Sequence, residues 1–184
     1  SIATFMEVLD TTVASVSLWH ISASMGVSYQ EGLWVITSYL VANALILPMS
    51  GWLANWFGRK RYYMGSVALF TLASLMCSVA PTLEWLLLAR VLQGIGGGGL
   101  APIEQSMLVD SFHEKARPKA FALYGVTILF VPAIGPLVGG VITAALSWHW
   151  VFLINVPIGL LSLFLSSPDA RRVGIECISR RSPS

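Results

Sequence analysis

The chain has 184 residues, of which 55% are hydrophobic and 11% charged, with a formal net charge of +2 and a mean hydropathy of +0.73. Soluble domains carry about 25% charged residues, so this composition excludes a water-soluble globular fold as well as a disordered chain. The small net charge gives no basis for nucleic-acid binding, and Cys77 and Cys177 are too far apart in sequence to suggest a metal site or a disulfide framework.

Six membrane-spanning helices are predicted in chain order. Charged residues are absent from 11–30, 32–58, 62–83 and 120–168, and region 85–109 contains only Arg90 and Glu104. A bilayer core needs about 20 apolar residues per helix, so the last stretch is long enough for two helices, with a turn at Ser147 to His149. The predicted spans are about 2–22, 33–53, 62–80, 85–109, 120–146 and 150–167. They form one all-α membrane domain over 1–167, and residues 168–184 are predicted to be a poorly ordered cytoplasmic tail.

The basic residues predict the orientation. They follow the second, fourth and sixth spans, and the loops after the other spans contain none: Arg59, Lys60, Arg61, Lys115, Arg117, Lys119, Arg171, Arg172, Arg180 and Arg181. Because Lys and Arg near span ends are retained in the cytoplasm, both chain ends are expected there. The first span has no basic leader and contains acidic residues, so we expect a helix whose upstream residues are missing rather than a cleaved signal peptide.

Four ionisable residues lie inside predicted spans: Glu7, Asp10, Arg90 and Glu104. Each costs at least about 2.5 kcal/mol on insertion at the membrane centre, so each should face a cavity or a partner. Glu7 and Asp10 are three residues apart and share a helix face. We predict that Asp10 pairs with Arg90, and that protonation of Asp10 would weaken the pair.

The predicted depths argue against direct contact in that pair. Asp10 lies about 12 Å from the cytoplasmic edge of its span and Arg90 about 8 Å from the outer edge of its own. Contact requires the first helix to begin upstream of Ser1, which would place Asp10 deeper. The alternative is that each side chain extends to its nearer interface and has no further role.

Glycines cluster in the fourth and fifth spans. Gly94, Gly96 and Gly99 match the spacing of a dinucleotide-binding loop, but no strand precedes them, so a nucleotide site is excluded. Small residues instead allow helices to approach closely, and Pro136 predicts a kink. Either these glycines serve packing alone or they form a face that slides or bends.

The chain contains no sequence pattern for a nucleophile, a zinc site or a phosphate-binding loop. An enzyme is therefore not predicted, and no cofactor is expected. A transporter built from this chain would have to be driven by an ion gradient.

Several motifs resemble the major facilitator superfamily. The stretch GWLANWFGRKR from Gly51 to Arg61 resembles its loop between helices two and three, GxLaDrxGrkr, and LLLARVLQGIGGG, with Arg90 and Gln93, resembles its fourth-helix pattern. GPLVGG from Gly135 is similar to the fifth-helix motif of drug antiporters. LDTTVASVSL, with Asp10, and WVFLINVPIGL are similar to motifs of the fourteen-span drug:proton antiporters.

The resemblance implies proton-driven export of lipophilic, often cationic, compounds by alternating access, from a bacterial inner membrane. It implies a proton-coupling network of Asp10, Arg90 and Gln93, which Glu7 on the same helix face as Asp10 would join. It also implies two further groups. The gating and packing group is Gly94, Gly135, Pro136, Gly139 and Gly140, and the cytoplasmic loop latch is Gly51, Asn55, Gly58, Arg59 and Arg61.

Two departures from the family matter. Asn55 stands where members carry an acidic residue in the loop latch, so the charge that members use there is absent. Members also have two six-helix halves, each a three-plus-three inverted repeat, and this chain supplies the amino-terminal half only. We therefore expect a missing carboxy-terminal half or a second copy as partner. The alternative is a truncated, non-transporting membrane module that packs with a full-length relative.

Overall fold

The computed structural model describes residues 2–111 and 113–166, which are helical with short turns and contain no strand. Eight helices follow one another in the described ranges: α1 (Ile2–Met25), α2 (Tyr29–Phe57), α3 (Arg59–Ser78), α4 (Leu83–Gly97), α5 (Leu100–Ser111), α6 (Arg117–Ala145), α7 (His149–Leu153) and α8 (Asn155–Ser166). The all-α fold class is therefore confirmed. The predicted tail at 168–184 lies outside the described residues.

Two of the six predicted helices are broken, α4 from α5 and α7 from α8. Both breaks lie about four residues before a proline. Pro102 has no N–H to donate to the carbonyl of Gly98, and Pro157 has none for the carbonyl of Leu153. The helical ladder is interrupted at these points, whereas α6 continues through Pro132 and Pro136 as one helix.

Local sequence explains the tight connections. Ser28 and Glu31 form a capping box at the start of α2, in which each side chain accepts a hydrogen bond from the other residue's backbone N–H. Gly58 joins α2 to α3 with a φ of 85°, a conformation that glycine adopts without strain.

Four helical stretches are long and apolar enough to cross a membrane: Tyr29–Phe57, Leu83–Asp110, Arg117–Ala145 and His149–Ser166. The helices α1 and α3, with 24 and 20 residues, are also long enough. They are less apolar, because α1 carries Glu7 and Asp10 and α3 begins with three basic residues. That all six cross the bilayer stays a prediction.

Glycines determine how closely the helices pack. α4 lies against both α2 and α3, and α1 lies against α6. A Cβ atom at Gly94 would lie 2.5 Å from the carbonyl oxygen of Tyr39 on α2, and one at Gly96 would lie 2.7 Å from the backbone nitrogen of Phe70 on α3. No side chain fits at these two positions without moving a helix.

The fifth-helix motif packs in the same way but only on one face. A Cβ atom at Gly135 would lie 2.6 Å from Thr12, and one at Gly139 would lie 2.9 Å from Val13. A Cβ atom at Gly140 would meet no atom within 4 Å in the described ranges. Gly140 therefore points away from α1, and its predicted role in packing would need a neighbour outside these residues.

Candidate functional site

The predicted pair of Asp10 and Arg90 is present at the centre of the helix bundle. Both side chains are completely buried, and Nη1 of Arg90 lies 2.5 Å from Oδ2 of Asp10. The depth difference expected from the sequence does not keep them apart. An ion pair without bulk water requires good geometry and additional hydrogen bonds, because both charges lose their hydration.

Asp10 receives those additional hydrogen bonds from two side-chain amides. Nε2 of Gln93 donates to Oδ1 at 2.9 Å, and Nδ2 of Asn155 donates to the same oxygen at 2.6 Å. Asp10, Arg90, Gln93 and Asn155, which we call the Asp10 cluster, thus join α1, α4 and the start of α8. All three partners of the carboxyl group act as donors, an environment that suits its ionised form.

The position of Arg90 is fixed by contacts to α2 and to the short helix α7. Its Nε donates to the carbonyl oxygen of Val35 at 3.0 Å. Its guanidinium carbon lies 4.4 Å from the centre of the Tyr39 ring and 5.5 Å from that of Phe152, within cation–π range. Nη1 also donates to Oε1 of Gln93 at 2.7 Å. Arg90 therefore serves as the common contact between these helices.

Gln93 connects the Asp10 cluster to α3. Its Nε2 donates to Oγ of Ser74 at 2.8 Å, and its Oε1 accepts a weak hydrogen bond from Sγ of Cys77 at 3.6 Å. Ser74 and Cys77 are both buried. A glutamine suits this position because it donates and accepts at the same time.

Glu7 lies one helical turn away from Asp10 on α1. Its Oε1 accepts from Nδ2 of Asn43 at 2.8 Å and from the hydroxyl of Tyr39 at 3.4 Å. Tyr39 thus contacts Glu7 with its hydroxyl and Arg90 with its ring. A Cβ atom at Gly97 would lie 2.9 Å from that hydroxyl, so the glycine leaves space for it.

Glu104 is buried beside the start of α1. It accepts from Oγ1 of Thr4 at 2.6 Å, from the hydroxyl of Tyr63 at 3.1 Å and from the backbone nitrogen of Ala3 at 3.3 Å. The residue thus connects α5 to α1 and α3.

The loop latch spans the end of α2, the turn at Gly58 and the start of α3. Gly51, Asn55 and Arg59 line a cavity of about 220 Å³ together with residues of α5. Arg59 forms an exposed salt bridge with Asp110 at the end of α5. An acidic partner of Arg59 is therefore supplied by another helix, a contact that the motif alone does not predict. Gly51 and Gly58 face open space, and Arg61 lies beside a separate cavity between α2 and α3.

Sequence reasoning did not identify Asn155, Ser74 or Tyr39 as members of this site. Serine and tyrosine are frequent in apolar helices and give no distinctive signal. Asn155 did carry a signal in the sequence. It is an uncharged amide two residues before Pro157, where a helix is expected to break.

Comparison with known proteins gives a consistent family relationship. The family model for the Major Facilitator Superfamily matches residues 1–175. The multidrug export protein EmrB of Haemophilus influenzae is 43% identical over 166 residues, covering 90% of this chain and 32% of that protein. The probable multidrug resistance protein EmrY of Escherichia coli is 45% identical, with 90% and 32% covered. The chain spans about a third of the length of these curated relatives, in their amino-terminal part.

Two solved structures share the fold. One is a crystal structure of the peptide transporter POT, with a TM-score of 0.79 and 16% identity, covering 97% of this chain and 42% of that one. The other is a bacterial homologue of the human lysosomal transporter Spinster, with a TM-score of 0.69 and 22% identity, covering 90% and 41%. At these identities the likeness concerns architecture alone.

Proposed function

Because the chain belongs to the Major Facilitator Superfamily, we propose that it is the amino-terminal half of a proton-coupled multidrug efflux transporter. Its cargo would be lipophilic small molecules, many of them cationic, exchanged for protons across a bacterial inner membrane. The energy source would be the proton gradient, with no cofactor and no enzymatic step. A carboxy-terminal half, or a second copy, would complete the transport pathway.

The observation that carries this proposal is the environment of Asp10. A buried carboxylate beside Arg90 and two amide donors is stable while it is ionised. One added proton removes the charge that attracts Arg90 and turns an acceptor oxygen into a donor. Protonation therefore favours a different arrangement of α1, α4 and α8, as a proton-driven switch requires.

The remaining predicted residues have supporting roles in this proposal. Arg90 and Gln93 stabilise ionised Asp10, and Glu7 adds a second carboxyl group that Tyr39 links to Arg90. Gly94, Gly135 and Gly139 let α4 and α6 slide against their neighbours, and Pro136 and Gly140 weaken α6 on its other face. The loop latch would hold the two transporter halves together on the cytoplasmic side.

We infer the orientation from the basic residues. Arg59, Lys60 and Arg61 at the start of α3, and Lys115 to Lys119 before and within the start of α6, would lie in the cytoplasm with both ends of the chain. The exposed apolar side chains of α2 and α6, such as Leu45 and Leu129, would then contact lipid or the second half.

The test is efflux of a lipophilic cation from proteoliposomes that contain the intact transporter, with and without an imposed pH gradient. Asp10→Asn should abolish the component of efflux that depends on the gradient, because the amide keeps the shape of the side chain but binds no proton. Membrane insertion should be unaffected. Gradient-driven efflux at the wild-type rate in this variant would rule out the coupling role of Asp10.

A further inference from the structure

Asn155 has an unusual position in the Asp10 cluster. It is the first residue of α8, it is completely buried, and its Nδ2 donates to Oδ1 of Asp10 at 2.6 Å. Its own carbonyl oxygen, Oδ1, is buried as well and makes no hydrogen bond within the described part of the chain. Burying such an acceptor unpaired costs about 1 to 3 kcal/mol, so the position needs an explanation.

The unpaired oxygen has a use when Asp10 binds a proton. A protonated carboxyl group must donate its O–H to an acceptor. Oε1 of Gln93 already accepts from Arg90 and from Cys77. Oδ1 of Asn155 accepts from no group in the described ranges, and it belongs to a side chain that already contacts Asp10.

We propose that Asn155 senses the protonation state of Asp10 by turning its side-chain amide. While Asp10 is ionised, Nδ2 donates to it; when Asp10 is protonated, the amide turns by about 180° and Oδ1 accepts the new O–H. Exchanging the nitrogen and oxygen of an amide hardly changes its shape, so the turn requires no repacking. This inference rests on the proposed function, since it takes Asp10 as the proton-binding group.

Asn155 lies next to the short helix α7, so a rotation of its side-chain amide takes place beside that helix. The residue directly follows the break between α7 and α8, where Pro157 has no N–H to donate to the carbonyl of Leu153, while the N–H of Ile154 still donates to the carbonyl oxygen of Trp150 at 3.1 Å. The five-residue helix α7 packs on α1 and α3, and its Phe152 lies against Arg90. The turned amide keeps a hydrogen bond to Asp10, while the added proton removes the charge that attracts Arg90. The change would therefore reach α7 through Arg90, which lies against Phe152.

Other titratable groups of the packed helices enter any pH response. Those that interact with Asp10 are Glu7 on α1, Tyr39 on α2, Cys77 on α3 and Arg90 on α4. Glu104 on α5 and Tyr124 on α6 contact Thr4 instead, and His149 at the start of α7 stacks on Trp148. The test must therefore follow Asp10 and Asn155 themselves rather than overall activity alone.

The experiment is a pH-difference infrared spectrum of the purified intact transporter. Acidification should produce a carboxylic-acid band that is absent from Asp10→Asn and, together with it, a shift of an asparagine amide band that is absent from Asn155→Leu. If the leucine variant does not fold, Asn155→Ser replaces it. Serine keeps a hydroxyl that can donate or accept, and the asparagine amide band should be absent from this variant too. Ser162→Ala, a buried change further along α8, is the matched control and should retain both bands.

Transport measurements complete the test. In proteoliposomes, Asn155→Leu should lose the pH dependence of efflux, whereas the control Ser162→Ala should keep it. An Asp10 band that appears with no change in the asparagine band would overturn the role of Asn155 and leave the proposed function intact. No band lost in Asp10→Asn would instead overturn the proposed function.

Discussion

Asp10 and Arg90 depend on each other because neither charge has access to bulk water. Removing one partner of a buried pair leaves an uncompensated charge, which costs about 3 to 5 kcal/mol. Removing both charges avoids that cost. The energetic coupling between the two residues is therefore expected to be large, and it can be measured directly.

We predict that Arg90→Ala destabilises the intact transporter by about 3 to 5 kcal/mol, because ionised Asp10 then remains buried without a counter-charge. The double variant Asp10→Asn with Arg90→Ala should be more stable than Arg90→Ala alone. Thermal unfolding of the four proteins in detergent gives the interaction energy. Strictly additive effects would mean that the two residues do not form the pair.

Residues of the site differ in how well the sequence identified them. Asp10 and Arg90 stand out because charges are rare in apolar helices, and Gln93 lies one turn after Arg90. Ser74 and Tyr39 are neutral, so their residue types do not distinguish them from ordinary helix residues, and Asn155 is marked only by its position two residues before Pro157. Their contacts depend on how five helices pack against one another. The spacing of apolar residues within a single helix gives no information about that packing.

At the scale of helices, long apolar runs predicted six segments but not their breaks. Counting charges treats 85–109 and 150–167 as continuous, whereas the structure interrupts them before Leu100 and before Asn155. Pro102 and Pro157 could have predicted these breaks, because a proline has no N–H to donate to the carbonyl four residues before it. The glycine pattern predicted close approach, but not which glycine faces which helix.

The packing role of the glycines gives a matched pair of variants. Gly96→Ala should destabilise the protein by about 1 to 3 kcal/mol, because its Cβ would lie 2.7 Å from backbone atoms of α3 that have no room to move. Gly140→Ala meets no atom within 4 Å and should be neutral or slightly stabilising. Equal melting temperatures for the two variants would contradict this packing.

At the scale of the whole molecule, the fold leaves apolar side chains of α2 and α6 exposed. In the proposed transporter, lipid or a second half would cover them. The relatives are about three times as long as the segment that matches this chain. Alternating access requires two halves that move against each other around a shared site. The Asp10 cluster would be the part of this half that responds to protons, and the loop latch the part that holds the halves together.

The orientation is tested by labelling single cysteines in membrane vesicles. Glu114→Cys, in the turn before α6, should react with a membrane-impermeant maleimide only from the cytoplasmic side, and Gln30→Cys, at the start of α2, only from the opposite side. Both positions are exposed, and buried Cys77 should remain unlabelled. Cys177 is replaced by serine in all samples. Labelling from the reverse sides would contradict the orientation inferred from the basic residues.

The central claim is that Asp10 exchanges a proton for the transported drug. The most direct measurement is the release of protons from the purified intact transporter, in weakly buffered detergent solution with a pH-sensitive dye, when a lipophilic cation is added. We predict that the wild-type protein releases protons on binding the cation and that Asp10→Asn binds it without release. Equal proton release from both proteins would contradict the claim.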